Sequence, residues 1–228
     1  MMECTLWGYR TDEYLKMFDL TLDPTKRFLE FACGPSAFNQ DLHHHAGEVV
    51  SCDGLFEMDK EALNHCVETS FHEVTAKLAL QPTLNLKEYN DNLETLINMR
   101  QKGLQLFFAD YPKGKDEGRY LGIDHAKLPF DDFSFDIALS AYHFFVNPNI
   151  GDLDSYLNIL KELARVAKEV RLFPLVDCRG EPSPLLGPVL LGLQQQNYGI
   201  EVKEVPYNLQ PNGNAMLRLW AQQCPLSS

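Results

Sequence analysis

The spacing of apolar positions changes several times along the chain, and each change predicts an element. Residues 11–20 carry apolar side chains at helical spacing and predict an amphipathic helix. Residues 27–31 (RFLEF) are a short, nearly continuous apolar run, as in a buried strand. The small-residue turn at 33–36 then opens a helix, with Ser36 or Asn39 as its cap. Residues 48–53 read as the next strand, ending on Asp53 and Gly54. The following stretch reads mainly as helices, over 58–68, 72–79 and 86–108. In the last of these, Leu93, Leu96, Ile97, Leu104 and Phe107 recur at helical spacing. Strand patterns return at 118–124, 134–140 and 169–175, with an amphipathic helix over 153–167 between the last two.

Strands separated by helices imply parallel β-α-β units. The tail differs, because the strand patterns at 202–207 and 215–220 are joined by residues 208–214 (NLQPNGN), which hold hairpin turn residues and no helix. The sheet is therefore expected to end in an antiparallel pair. A chain of 228 residues that is 45% hydrophobic fits one such α/β domain, with residues 57–117 as an insertion longer than a crossover needs.

Charge narrows the partners. A net charge of −12 argues against nucleic acid, whose phosphates are bound by clustered Lys and Arg. No apolar leader opens the sequence and no run is long enough to cross a bilayer, so a cytoplasmic protein without a membrane partner is expected. Cys4, Cys33, Cys52, Cys66, Cys178 and Cys224 form no C-x-x-C pair, which implies neither a zinc knuckle nor a disulfide framework. His43, His44 and His45 are consecutive, and helical residues in a row point about 100° apart. They are assigned to a solvated helix end rather than to a metal.

Candidate chemistry centres on residues 28–38 (FLEFACGPSAF). In open α/β sheets the ligand lies against the turn after the first strand. A dinucleotide fingerprint needs three glycines for close approach of a pyrophosphate, whereas this turn alternates Ala32, Gly34 and Ser36. A ligand with adenosine and no phosphate suits it better, with Gly34 as the close approach and Glu30 facing a positive group. S-adenosylmethionine has those properties. Asp53, 19 positions after Gly34 at a strand end, is placed to accept ribose hydroxyl protons. Asp124 ends a further strand, where its carboxylate could accept an adenine amine proton and the His125 backbone N–H could face a ring nitrogen.

At these residues the chain resembles the class I S-adenosylmethionine-dependent methyltransferases, as a methyltransferase-11-like domain. Their first motif is matched at Glu30, Ala32, Gly34 and Ser36, and their second acidic strand end at Asp53. Residues 124–136 (DHAKLPFDDFSFD) resemble their D-A-x-x-L-P-F-x-D-x-S-F-D signature, and residues 162–166 (ELARV) their helix before the fifth strand. The resemblance implies a Rossmann-like three-layer fold, a seven-stranded, mostly parallel sheet with an antiparallel last strand. It also implies S-adenosylmethionine as cofactor. Glu30, Ala32, Gly34, Pro35, Asp53, Gly54, Asp124, His125 and Ser140 are then the expected cofactor contacts. Ala32 stands where glycine is usual and Ser36 replaces the third glycine.

Methyl transfer by in-line displacement depends mostly on positioning and desolvation. Tyr142 and His143, just after the fourth strand, are the candidates for removing an acceptor proton, with packing as the alternative for both. Trp7, Tyr9, Arg10 and Tyr14 precede the first strand and are candidates to cover the cofactor, with Arg10 or a tyrosine hydroxyl meeting its carboxylate; an N-terminal helix anchored by aromatics is the alternative. The insertion at 57–117 is expected to cover a small-molecule acceptor site. Two other functions stay open: a cofactor-binding pseudoenzyme acting through a protein partner, and a nicotinamide oxidoreductase, against which the missing glycines speak.

Overall fold

A computed structural model describes residues 8–45, 47–79, 84–123, 127–146, 151–177 and 179–221. The expectations for Trp7, Asp124, His125, Cys4, Cys178 and Cys224 lie outside the described residues. The chain order is α1 (Thr11–Met17), β1 (Arg27–Phe31), α2 (Phe38–His44), β2 (Glu48–Cys52), α3 (Lys60–Leu78) and α4 (Leu93–Asp116). It continues with β3 (Tyr120–Leu121), β4 (Phe135–Ala141), α5 (Leu153–Val166), β5 (Ala167–Phe173), α6 (Leu186–Gln195), β6 (Tyr198–Glu204) and β7 (Ala215–Ala221).

The strands form one seven-stranded sheet in the order β3-β2-β1-β4-β5-β7-β6. β1 pairs in parallel with both β2 and β4, and β7 runs antiparallel to β5 and β6. Alternation along β1 splits the core between two faces. Phe28 packs with α1, α2, α3 and α4 on one side, while Leu29 and Phe31 pack with α5 and α6 on the other. A fully buried aromatic such as Phe28 anchors this arrangement, and truncating it to alanine is expected to cost about 3–5 kcal/mol.

Several elements differ from the pattern reading for identifiable reasons. The two helices expected over 58–79 are one, α3 (Lys60–Leu78), because Thr69 and Ser70 do not break it and Asp59 caps it by accepting from Ala62 N at 2.8 Å. The third helix of the insertion begins late, at Leu93, since Asn90 and Asp91 are left-handed (φ 56° and 52°) and Asn92 is its cap. α2 is capped by neither Ser36 nor Asn39, whose side chains bond elsewhere; Ala37 holds the N-cap position. α6 has no counterpart in the pattern reading: Gly187, Pro188 and Gly192 lower its propensity, and burial of Val189 and Leu193 against the second core face supplies what propensity lacks. β6 starts four residues before its expected position, directly after the left-handed Asn197.

The apolar stripe of the insertion is core. Leu96, Leu104 and Phe107 are buried among α1, α2 and β3 residues, with Leu93 and Ile97 packed at the margin. No helix among the described residues is long and apolar enough to cross a membrane.

Candidate functional site

β1 and β4 are neighbours, and the helices that follow them lie on opposite faces of the sheet, so a crevice opens at their carboxyl ends. The loop leaving β1 borders it. Ala32 N still donates to Cys52 O at 2.8 Å, after which the backbone turns left-handed at Ala32 (φ 47°) and again at Gly34 (φ 56°). Asp53 ties this loop to the end of β2. One carboxylate oxygen accepts from Gly34 N at 2.8 Å and the other from Leu55 N at 2.9 Å, capping the short 3-10 turn Gly54–Glu57. Ala32, Asp53, Gly54, Leu55 and His143 are half-buried, while Pro35 and Ser36 are buried beneath them.

Glu30 does not present its carboxylate to the crevice as the sequence reading expected. It is fully buried and accepts from Ser36 Oγ at 2.7 Å and from Ser51 Oγ. Burial pushes its pKa up; the two serine hydroxyls pull it partly back, and the Tyr14 hydroxyl lies near enough to add to that pull. Ser36, in the place of a glycine, therefore anchors the loop to β1 from below. The same surroundings keep the cysteines protonated: burial, then Asp53 and Glu30, push the Cys52 thiol up to about 12, and Cys33 is raised mainly by burial.

The end of β4 carries the two candidate proton acceptors in different states. Tyr142 is left-handed (φ 53°) and buried, with its ring stacked on Tyr9 at 5.3 Å and edge-on to Phe173 at 5.6 Å. Burial raises its phenol far above the ordinary value, opposed by Arg100. A phenol so raised stays protonated at neutral pH, which takes away its suitability as a base. His143 stays half-buried, edge-on to Phe31 at 6.1 Å and Phe144 at 5.2 Å. Ser140 is buried, and its hydroxyl has no hydrogen-bond partner among the described residues.

Of the residues expected over the cofactor, Tyr9 joins the loop directly. It forms an isolated parallel bridge with Ser36, and its carbonyl accepts from Ala37 N at 2.8 Å. Gly8 and Gly103 make that passage possible: a Cβ on Gly103 would stand 2.1 Å from Gly8 O, so residues 8–9 cross α4 in backbone contact. Tyr14 is buried against Phe38 at 5.0 Å, below the crevice. Arg10 points outward and pairs with Asp12 at 3.2 Å.

Sequence reasoning missed a buried polar cluster beside Tyr142. Glu13 accepts from Arg100 at 2.7 Å, from the Tyr89 hydroxyl at 2.7 Å and from the Tyr207 hydroxyl at 3.1 Å. Arg100 also donates to Tyr207 at 2.9 Å and lies 4.1 Å from the Tyr9 ring centroid. The cluster joins α1, the insertion and the β6–β7 loop. One signal was available: Arg100 stands four residues after Leu96 and four before Leu104, inside an apolar stripe, where an unpaired cation would be costly. Among the described residues no group of His, Cys, Asp or Glu gathers as a metal site, and His43, His44 and His45 are exposed at the end of α2.

The seven-stranded sheet, with its antiparallel last strand and the first loop at the switch point, has the Rossmann-like strand order and directions that the sequence resemblance implied. No family model matches the chain. It is 24% identical over 220 residues to the uncharacterized protein MJ0045 of Methanocaldococcus jannaschii, covering 95% of this chain and 96% of that one. Among solved structures it is similar to a SAM-dependent methyltransferase from Aquifex aeolicus, at 16% identity and TM-score 0.43, over 91% of this chain and 90% of that one. It is also similar to the magnesium protoporphyrin IX methyltransferase of Synechocystis with bound SAM, at 10% identity and TM-score 0.44, over 86% and 70% of the two chains. The fold assignment rests on the strand order and direction.

Proposed function

We propose that the chain is an S-adenosylmethionine-dependent methyltransferase acting on a small-molecule acceptor. The observation that carries this is the bond from Gly34 N to Asp53, which fastens the first-strand loop to the second-strand acid at the switch point. The half-buried Ala32, Asp53, Gly54 and Leu55 fit an adenosyl ligand, and the unpartnered Ser140 hydroxyl fits a polar group arriving at the end of β4. When bound, S-adenosylmethionine supplies an electrophilic methyl on a sulfonium.

The chain's own residues then bind, orient and exclude water. Asp53 accepts ribose hydroxyls while holding the loop, and Glu30 acts from below by fixing Ser36. Asp124 and His125 are assigned to the adenine. Tyr9 and Tyr142 form an aromatic wall, and His143, half-buried just after β4, accepts the proton an acceptor loses. The insertion from 57 to 117 covers the acceptor side through Tyr89 and Arg100.

Calorimetry and thermal shift with S-adenosylmethionine, S-adenosylhomocysteine, NAD and NADP test the reading. Binding and stabilisation by the first two alone are expected. No heat and no stabilisation at millimolar S-adenosylhomocysteine would remove it. Binding without transfer to any acceptor would favour a pseudoenzyme.

A further inference from the structure

The loop from β6 to β7, residues 205–214, holds two polar side chains with no role in the site above. Because β6 runs parallel to β5, this loop lies at the same edge as the carboxyl ends of β1 and β4. Tyr207 fixes it there. Its ring is edge-on to Phe173 at 5.7 Å, and Phe173 is edge-on to Tyr142 at 5.6 Å. The loop is pinned from two sides: Asn85 N donates to Leu209 O at 2.9 Å, and Asn212 Nδ2 donates to Gly180 O at 3.1 Å. Within this frame Asn208 Oδ1 and Gln210 Oε1 are buried, and no donor among the described residues reaches either of them. Gln210 as a whole is 9% exposed.

A buried amide oxygen without a donor costs stability, and a loop with no task would be expected to satisfy it or replace it with an apolar group. Two such oxygens on alternate residues of a loop at the carboxyl edge of the sheet point to a ligand that brings the missing donors. We propose that Asn208 and Gln210 form an acceptor-recognition subsite for a neutral or cationic N–H or O–H group on the methyl acceptor. This rests on the methyltransferase reading. Such a subsite discriminates strongly against an analogue lacking the donor, because the amides are then left buried and unpaired.

The test uses three matched pairs, phenol and anisole, aniline and N,N-dimethylaniline, benzamide and N,N-dimethylbenzamide. Each is titrated by NMR saturation transfer into the full chain with saturating S-adenosylhomocysteine. The donor-bearing member is expected to bind at least about tenfold more tightly. The double variant Asn208→Leu, Gln210→Met should erase that preference and leave S-adenosylhomocysteine affinity unchanged. Without ligand it should melt roughly 2–4 °C higher, since the unpaired oxygens are gone. Gln210→Met alone repeats the comparison if the double variant does not fold. Equal binding of both members, binding of none, or a lower melting temperature for the variants would overturn the proposal, the last by showing that the amides are structurally satisfied. Failure of S-adenosylhomocysteine to bind would count against the methyltransferase reading instead, and the melting comparison would still decide whether the amides are unpaired.

Discussion

Glu13 and Glu30 are two carboxylates buried on the same side of the sheet, and the chain holds them in opposite ways. Glu13 has a guanidinium, two phenols and the backbone N–H of Arg10 around it. Glu30 has serine hydroxyls and no ion pair among the described residues. A buried ion pair contributes little net stability when intact and costs much when one partner is removed, because the other charge is stranded. A carboxylate held by hydroxyls costs less to neutralise and keeps a raised pKa. The first arrangement ties three distant segments together; the second leaves a loop whose charge state can respond to its surroundings.

Removing Arg100 tests the difference most severely. Arg100→Met is expected to destabilise by about 3–5 kcal/mol, a fall of roughly 6–20 °C in Tm, and adding Glu13→Gln should restore part of it. A loss under about 1 kcal/mol would mean that Glu13 does not depend on its cation. Asp53→Ala comes next. Losing a charged acceptor should weaken S-adenosylhomocysteine binding roughly tenfold or more by calorimetry. It should also loosen the loop, since Gly34 N and Leu55 N lose their partner. An unchanged dissociation constant would leave Asp53 with the structural task alone.

Glu30→Gln probes the other carboxylate through pH. The folded pKa of Glu30 is raised above 4.5, so the folded chain binds this proton more tightly than the unfolded chain. Stability from this group therefore falls as pH rises from about 4.5 through the folded value and stays low above it. The variant lacks this titration, so its Tm relative to the parent should climb across that window; a constant difference would contradict the burial argument. The smallest effect is expected at Ala32→Gly. Glycine adds freedom to the unfolded chain, which lowers stability, yet Ala32 is left-handed (φ 47°), where a methyl is strained. The strain outweighs the entropy, and a gain of up to about 1 kcal/mol, or roughly 2–4 °C, is expected in a melting scan. A lower Tm would show that the loop is adapted to the methyl.

The strand and helix alternation, the loop after β1, the acid ending β2 and the antiparallel tail were all legible in the sequence, because period and turn chemistry act over a few neighbouring residues. The limits of that reading are local too. α6 escaped it because its propensity is poor and its stability comes from burying Val189 and Leu193. The roles of polar residues depended on the tertiary structure. Glu30 matches a ligand-facing motif, but folding encloses it between Ser36 and Ser51. Gly8 and Gly103 look unremarkable until the backbones meet. Glu13 bonds to residues 76, 87 and 194 positions away, and no local pattern encodes such partners. The sequence alone could determine which faces are apolar, since that requires only periodicity. Whether a buried charge is paired, solvated by hydroxyls or left for a ligand is decided by what distant segments bring to it, because the cost of burying a polar group depends on its neighbours.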